Sequence, residues 1–332
     1  MLDSIPVIAQ VIASILVGFA GLIWSADRFV GGAASLAKFF GVTPLIIGLT
    51  IVSFGTSAPE IMVSISASLK GAGDLAVGNA IGSNIANIGL VLGATTLVAA
   101  IPVQNHILRH EMPVLLVVTL VAGYCLLDAT LTAVEGLFLI LTLVPAILYL
   151  VKVKQREFSE IEIAEEEDIA EMPRSTAIFW LIVGLAILML SSESLVWGAK
   201  SAAELAGVSP LIIGLTVIAI GTSLPELAAS MVSALRGHHD IALGNIIGSN
   251  MFNLMAVMSI PGIVSTTTME ASVFSRDYLV MLGLTLLLFI LIVKTLWFHR
   301  KTGEAKIGRL IGIILLCGYI AYYIVLFQTT SA

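Results

Sequence analysis

A six-residue string occurs twice in this chain, and it constrains the fold more than any other feature. GTSAPE, from Gly55 to Glu60, returns as GTSLPE from Gly221 to Glu226. A second string follows each copy at the same distance: GNAIGSNIAN from Gly78 to Asn87, and GNIIGSNMFN from Gly244 to Asn253. The flanks agree as well, GVTPLIIGLT at 41–50 against GVSPLIIGLT at 207–216. Self-similarity at an offset of about 166 residues marks two copies of one structural unit, so each string is half of one site.

Both copies sit inside apolar runs, which brings in the composition. AVILMFWYC make up 58% of the chain and charged residues 11%, well under the roughly 25% charged of a soluble domain. The apolar runs are Val7–Ser25, Thr43–Leu69, Ala76–Val103, Met112–Leu127, Leu131–Val151, Ala177–Trp197, Pro210–Leu235, Ile241–Val264, Tyr278–Phe298 and Leu310–Phe327. Each is near the ~20 residues that cross a hydrocarbon core of about 30 Å. The expectation is an all-α integral membrane protein of about ten transmembrane helices, five in each copy. Small residues after the first run of each half, at 26–40 and 198–206, extend that run into a long oblique helix. The first run has no basic n-region and no A-x-A site before Trp24, and reads as a retained helix rather than a cleaved signal. Cys125 and Cys317 are isolated in apolar runs and read as small core residues.

Five is odd, so the second copy must enter the membrane from the side opposite to the first. Inverted repeats of this kind build many secondary transporters, with the binding site near the midplane on interrupted helices. Loop charge gives the orientation. Of 16 Lys and Arg, only Lys70, Lys200 and Arg276 fall in even-numbered loops, so the positive-inside rule puts the odd loops in the cytoplasm and both termini outside. The division is then a first five-helix repeat at 1–151, a linker at 152–175 and an inverted repeat at 176–332. The linker is acidic between Glu157 and Glu171 but lacks the spacing of a calcium-binding loop, and reads as a solvated connection.

The doubled motif carries the chemistry. Pro59 lacks an N–H and its ring clashes with the preceding turn, which interrupts the helix and frees carbonyls near Ser53 and Gly55. Pro225, with Ala219 and Gly221, repeats this in the second copy. Freed carbonyls at membrane depth are tolerated where they line a cavity or hold something. Glu60 and Glu226 are ionisable groups at that depth, which makes them functional by default. Thr56, Ser57, Thr222 and Ser223 add hydroxyl oxygens. Ser83 and Asn87, like Ser249 and Asn253, are four apart and share a helical face. Asn79, Asn84, Asn245 and Asn250 read as serving helix breaks and packing. Gly78, Gly82, Gly244 and Gly248 read as close helix contacts. Every candidate ligand is an oxygen, which suits Ca2+ and Na+ and disfavours zinc, copper and iron.

GTSxPE with GSNxxN in both halves resembles the two α-repeats of the cation/calcium exchanger superfamily, sodium/calcium exchangers in particular, and the resemblance covers essentially the whole chain. It implies ten transmembrane helices in two inverted halves and the exchange of Na+, moving down its gradient, for Ca2+. Carried over position by position, it implies Glu60 and Glu226 as the central carboxylates. Thr56, Ser57, Ser83, Thr222, Ser223 and Ser249 become oxygen ligands, the carbonyls of Ser53 and Ala219 assist, and Asn87 and Asn253 fill the two remaining matched positions. Some relatives carry Asp at the position of Asn253, and its absence here argues against potassium co-transport. Proton/calcium exchangers carry GNxxE in place of GTSxPE, which favours Na+ as the driving ion. The runner-up is a proton-driven Ca2+ antiporter.

Two readings from other classes weigh less. A channel filter is usually a ring between subunits, not an inverted pair within one chain. An intramembrane enzyme needs a nucleophile and base together, and His106, His110, His238, His239 and His299 all lie near span ends, away from the glutamates. Asp27 and Glu193 occupy matching repeat positions near the polar ends of their helices, and a salt bridge or solvated cap fits them better than an ion site. The expected partners are the two cargo ions and the bilayer, with no cofactor, no nucleic acid and no obligate protein partner. Compactness points to a bacterial inner membrane.

Overall fold

The computed structural model describes residues 5–157, 172–207, 219–299 and 305–330. The acidic part of the linker and the segment 208–218 lie outside these residues. Helix dominates: α1 (Ile5–Phe40), a bent pair α2 (Pro44–Thr56) and α3 (Ala58–Leu69), α4 (Gly73–Val98), α5 (Ile107–Cys125), α6 (Ala133–Glu157), α7 (Arg174–Leu205), α8 (Ala219–Thr222), α9 (Leu224–Leu235), α10 (His239–Val264), α11 (Val273–Phe298) and α12 (Arg309–Thr330). Among the described residues eight helices are long and apolar enough to cross a membrane, and nine spans result if α2 and α3 are one bent span. The expected count of ten is not reached there, because the run that would complete α8 and α9 begins in 208–218.

The first helix of each half is long, as the small residues after its apolar run imply. With 36 residues, α1 measures about 54 Å at 1.5 Å per residue, more than a hydrocarbon core of about 30 Å. It runs antiparallel to α7 and packs closely along it. Gly18 abuts the backbone of Ser191 and Leu195, and Gly32 that of Ala177 and Leu181. The repeat-equivalent glycines return these contacts, Gly184 against Phe29 and Gly198 against Ile15. A side chain at any of the four would meet the facing helix. Ser14 donates to the Ser194 carbonyl at 2.6 Å and Ser194 to the Ser14 carbonyl at 3.3 Å. Equivalent helices that cross antiparallel, with reciprocal contacts, are related by a two-fold axis in the membrane plane: the halves are inverted.

Short strand pairs carry the same symmetry. β1 (Ile101–Pro102) pairs antiparallel with β4 (Lys306–Ile307), and β2 (Thr130–Leu131) with β3 (Thr267–Thr268). The first pair joins the third and ninth loops of the sequence reading, the second the fourth and eighth, so loops of equal parity share a face. Arg174, at the end of the linker, stacks over Phe39 at 4.7 Å, which brings the first and fifth loops together as well. Asp27 forms an ion pair with Arg236 in the seventh loop, the salt-bridge role expected of it, while Glu193 is exposed. Trp24 and Trp180 meet edge to face at 5.7 Å, and the Arg28 guanidinium lies over both rings. These tryptophans therefore join α1 to α7.

A large apolar core unites α2, α4, α5, α6, α10, α11 and α12. A smaller one packs α1 and α7 against Ile47, Val52, Ala228, Ala229 and Ile241. The apolar stretch of α10 is wholly buried and most of α4 is too, so the two helices carrying the GSNxxN strings lie at the centre. Large apolar side chains such as Leu16, Val17, Phe19, Leu137 and Leu141 are exposed on the outer helices, a surface suited to lipid.

Candidate cation-binding site

The two GTSxPE strings form matching breaks. Ser57 leaves helical geometry at φ −82, ψ 5, and Ser223 at φ −89, ψ 6. Each is followed by a new helix with proline in its first turn, where the missing N–H costs nothing. Across the first break α2 and α3 bend by 42°. Glu60 and Glu226 therefore sit in the first turns of α3 and α9, where unpaired N–H groups present partial positive charge to a carboxylate. One expectation needs correcting. The Ser53 carbonyl is not freed, because it accepts the Ser57 N–H at 3.0 Å. Proline removes the bond to the carbonyl four residues back, which for Pro59 is Gly55.

The two GSNxxN strings end in a second pair of irregularities. A π-helical stretch begins at Asn87 (Asn87–Leu92) and another at Asn253 (Asn253–Val257). Such bulges insert a residue into the turn, disturb the backbone ladder and cluster at functional sites. Ser64 of α3 reaches one of these stretches and donates to the Val257 carbonyl at 2.8 Å.

Close helix approach assembles the parts. Gly244 abuts Leu45, Gly48 and Leu49, and Gly248 abuts Leu49 and Ser53, so α10 lies directly along α2. These two glycines act as the small-residue contacts expected. Most of the residues equivalent to α2 in the second half, 208–218, lie outside the described residues, and a Cβ at Gly78 or Gly82 would meet no described atom of a neighbouring helix within 4 Å. From α10, Asn245 accepts the Thr56 hydroxyl at 3.0 Å, and the Ser249 hydroxyl lies 3.4 Å from that of Thr56. Asn245 also donates to Ser230 at 2.9 Å and to the Glu226 carbonyl at 3.4 Å. Asn84 donates to the Asn250 carbonyl at 3.2 Å. Asn84 and Asn245 thus join the halves, whereas the Asn250 side chain donates to Ile246 of its own helix at 2.7 Å and Asn79 Nδ2 has no partner among the described residues.

Ser53, Thr56, Ser57, Glu60, Ser83, Asn87, Ser223, Glu226, Ser249 and Asn253 are all buried. Thr222 is half-buried beside them, and Ala219 opens α8. Ser57 donates to Glu226 Oε1 at 3.1 Å, across the halves, and Ser83 to Glu60 Oε1 at 3.4 Å. The remaining oxygens are unspent. Glu60 Oε2, Glu226 Oε2, the Ser223 hydroxyl and both amide atoms of Asn87 and Asn253 have no hydrogen-bond partner among the described residues. Orphaned buried polar atoms are costly, and those of the two glutamates and of Asn87 and Asn253 occur at equivalent positions of the two halves, whereas the counterpart of Ser223, Ser57, is engaged with Glu226. A bound cation satisfies such a set of hard oxygens directly. Ser53 points its own hydroxyl back to the Leu49 carbonyl at 2.7 Å.

Sequence reasoning overlooked Ser64, Ser230 and Ser192. Ser64 and Ser230 follow their glutamates by four residues in both copies, a spacing that puts them on the same helical face and could have drawn notice. Ser192 carries no such signal, because its repeat partner is Ala26.

The sodium/calcium exchanger protein family matches residues 10–152 and again residues 176–328. The chain is 45% identical to CaxA of Alkalimonas amylolytica over 95% of its length and 98% of the relative's. It is 41% identical to the inner membrane protein YrbG of Escherichia coli, over 95% of this chain and 96% of that one. With the sodium/calcium exchanger MaX1 of Methanosarcina acetivorans it shares 29% identity over 94% of this chain and 97% of that one. Among solved structures, the sodium-calcium exchanger NCX_Mj soaked with Na+ and Sr2+ superposes with a TM-score of 0.78 at 31% identity, covering 95% of this chain and 97% of that chain. Matched in both halves and along nearly its whole length, the chain belongs to the sodium/calcium exchanger protein family.

Proposed function

We propose that the protein is a secondary antiporter that exchanges Na+ for Ca2+ at one site built from both halves. The observation that carries the reading is the pair Glu60 and Glu226, each fully buried, each on an interrupted helix of a different half, and each with one carboxylate oxygen free of protein partners. Two carboxylates balance one Ca2+ or two Na+, so the cargoes satisfy the same site but not together. Thr56, Ser57, Ser83, Ser223, Ser249, Asn87 and Asn253 complete the oxygen set in this reading, with Thr222 and the carbonyls of Ser53 and Ala219 at its edge.

Coupling follows from electrostatics. Enclosing two bare carboxylates in a low-dielectric intermediate costs several kcal/mol even after relaxation, so the empty site resists crossing while a loaded one moves. The orientation that accompanies this reading has both termini outside and the acidic linker in the cytoplasm, in a bacterial inner membrane. The test is reconstitution into vesicles loaded with radiolabelled Ca2+, with either a Na+ or a pH gradient imposed. Efflux driven by the Na+ gradient alone supports the reading. Efflux driven only by the pH gradient replaces it with a proton-driven exchanger, and flux without either gradient replaces it with a channel.

A further inference from the structure

The two halves share a motif but not a wiring, and we propose that Ser192 is a positioning residue for the second half of the ion site. Pro225 has no N–H to give to the carbonyl four residues earlier, that of Gly221. Ser192, buried on α7, donates its hydroxyl to that carbonyl at 3.1 Å. Val196, one turn further along α7, fills the space where a side chain at 221 would stand.

The first half is built otherwise. The repeat places Ala26 where Ser192 stands, and alanine has no donor to offer. The Ser57 N–H goes to the Ser53 carbonyl four residues back at 3.0 Å, and the Gly55 carbonyl receives no side-chain donor among the described residues. In the second half the Ser223 N–H goes to the Ile220 carbonyl at 3.1 Å, which leaves Gly221 to Ser192. The bond thus ties the peptide that joins Gly221 to Thr222, and with it the Thr222 and Ser223 hydroxyls, to α7. That helix pairs with α1 and stands apart from the main apolar core. Losing the bond frees that peptide to rotate and weakens ion binding without removing a ligand.

The inference rests on the site reading above but not on transport, and the test keeps them apart. Equilibrium binding of radiolabelled Ca2+ is measured on the purified full-length protein in detergent, without a Na+ gradient. Relative to wild type, Ser192→Ala weakens binding about five-fold, the order expected for one buried hydrogen bond. Ser192→Thr, which restores the hydroxyl, binds within about two-fold of wild type by the same argument. Melting temperatures check the fold, and Ser192→Cys, of similar size with a weak donor, replaces the alanine variant if that one is unfolded. Unchanged Ca2+ binding in Ser192→Ala, or a threonine variant no better than the alanine one, overturns the proposal. A wild type that binds Ca2+ yet carries none against Na+ overturns the exchange reading instead, with the Ser192 claim still decided by the binding data.

Discussion

Ser57 and Glu226 belong to opposite halves of the chain, and the serine hydroxyl donates to the glutamate Oε1 at 3.1 Å. Glu60, by contrast, is served by Ser83 of its own half at 3.4 Å. One carboxylate oxygen of each glutamate is therefore engaged and the other is free to meet a cation. The cross-half bond also means that the first break helps to orient the carboxylate beyond the second.

Glu60→Gln and Glu226→Gln are each expected to reduce Na+-driven Ca2+ uptake in vesicles to background while the purified proteins still melt cooperatively. Glutamine keeps the volume and loses the charge, so one carboxylate remains to face a divalent ion. Near wild-type uptake in either variant contradicts the two-carboxylate site.

Ser57→Ala is expected to act on ion affinity more than on folding. Hydrogen bonds to charged groups contribute about 1.5–3 kcal/mol, so the apparent Ca2+ affinity should fall at least about ten-fold. An initial-rate titration of Ca2+ at fixed Na+ gradient checks this. An unchanged half-saturating concentration would separate Ser57 from the site.

Asn245 and Asn253 should part company when each is replaced by alanine. Asn245 bonds to Thr56, Ser230 and the Glu226 carbonyl, and its loss strands those partners at a cost of about 1–3 kcal/mol of stability. Neither amide atom of Asn253 has a partner among the described residues, so Asn253→Ala should keep the wild-type melting temperature and lose Ca2+ affinity. Thermal melts in detergent beside Ca2+ binding decide between this pattern and its reverse.

Membrane orientation has its own check. With Cys125 and Cys317 replaced, Ser331→Cys should react with an impermeant thiol reagent added to intact cells, and Ser159→Cys should react only after lysis. The opposite pattern would reverse the charge-based orientation.

Much of this was legible in the chain because duplication made it so. A proline four residues after a glycine, repeated in both halves, locates the helix breaks at Ser57 and Ser223. A glutamate directly after each proline marks a carboxylate at the break. The odd number of runs per copy anticipates the antiparallel α1 and α7 and the pairing of equal-parity loops. What pattern could not supply is where a side chain goes once helices pack. That Ser57 serves the other half's glutamate, that Asn245 reaches Thr56, and that Ser192 meets Gly221 depend on α10 lying along α2 and α7 lying beside α8. The π-helical stretches at Asn87 and Asn253 were hidden too, since an inserted helical residue leaves no composition signature. The Ser53 carbonyl differs from expectation for a local reason: the bond that Pro59 removes is to Gly55, two residues later, while Ser53 keeps the Ser57 N–H.

The central claim is that Na+ and Ca2+ compete for one site made by Glu60 and Glu226, and equilibrium competition tests it most directly. Radiolabelled Ca2+ bound to the purified protein in detergent is titrated with Na+ at constant ionic strength. The account predicts complete displacement, an apparent Ca2+ affinity that falls progressively as Na+ rises, and no saturable Ca2+ binding in Glu60→Gln or Glu226→Gln. Ca2+ that stays bound at saturating Na+, or that binds either variant as tightly as wild type, would contradict it.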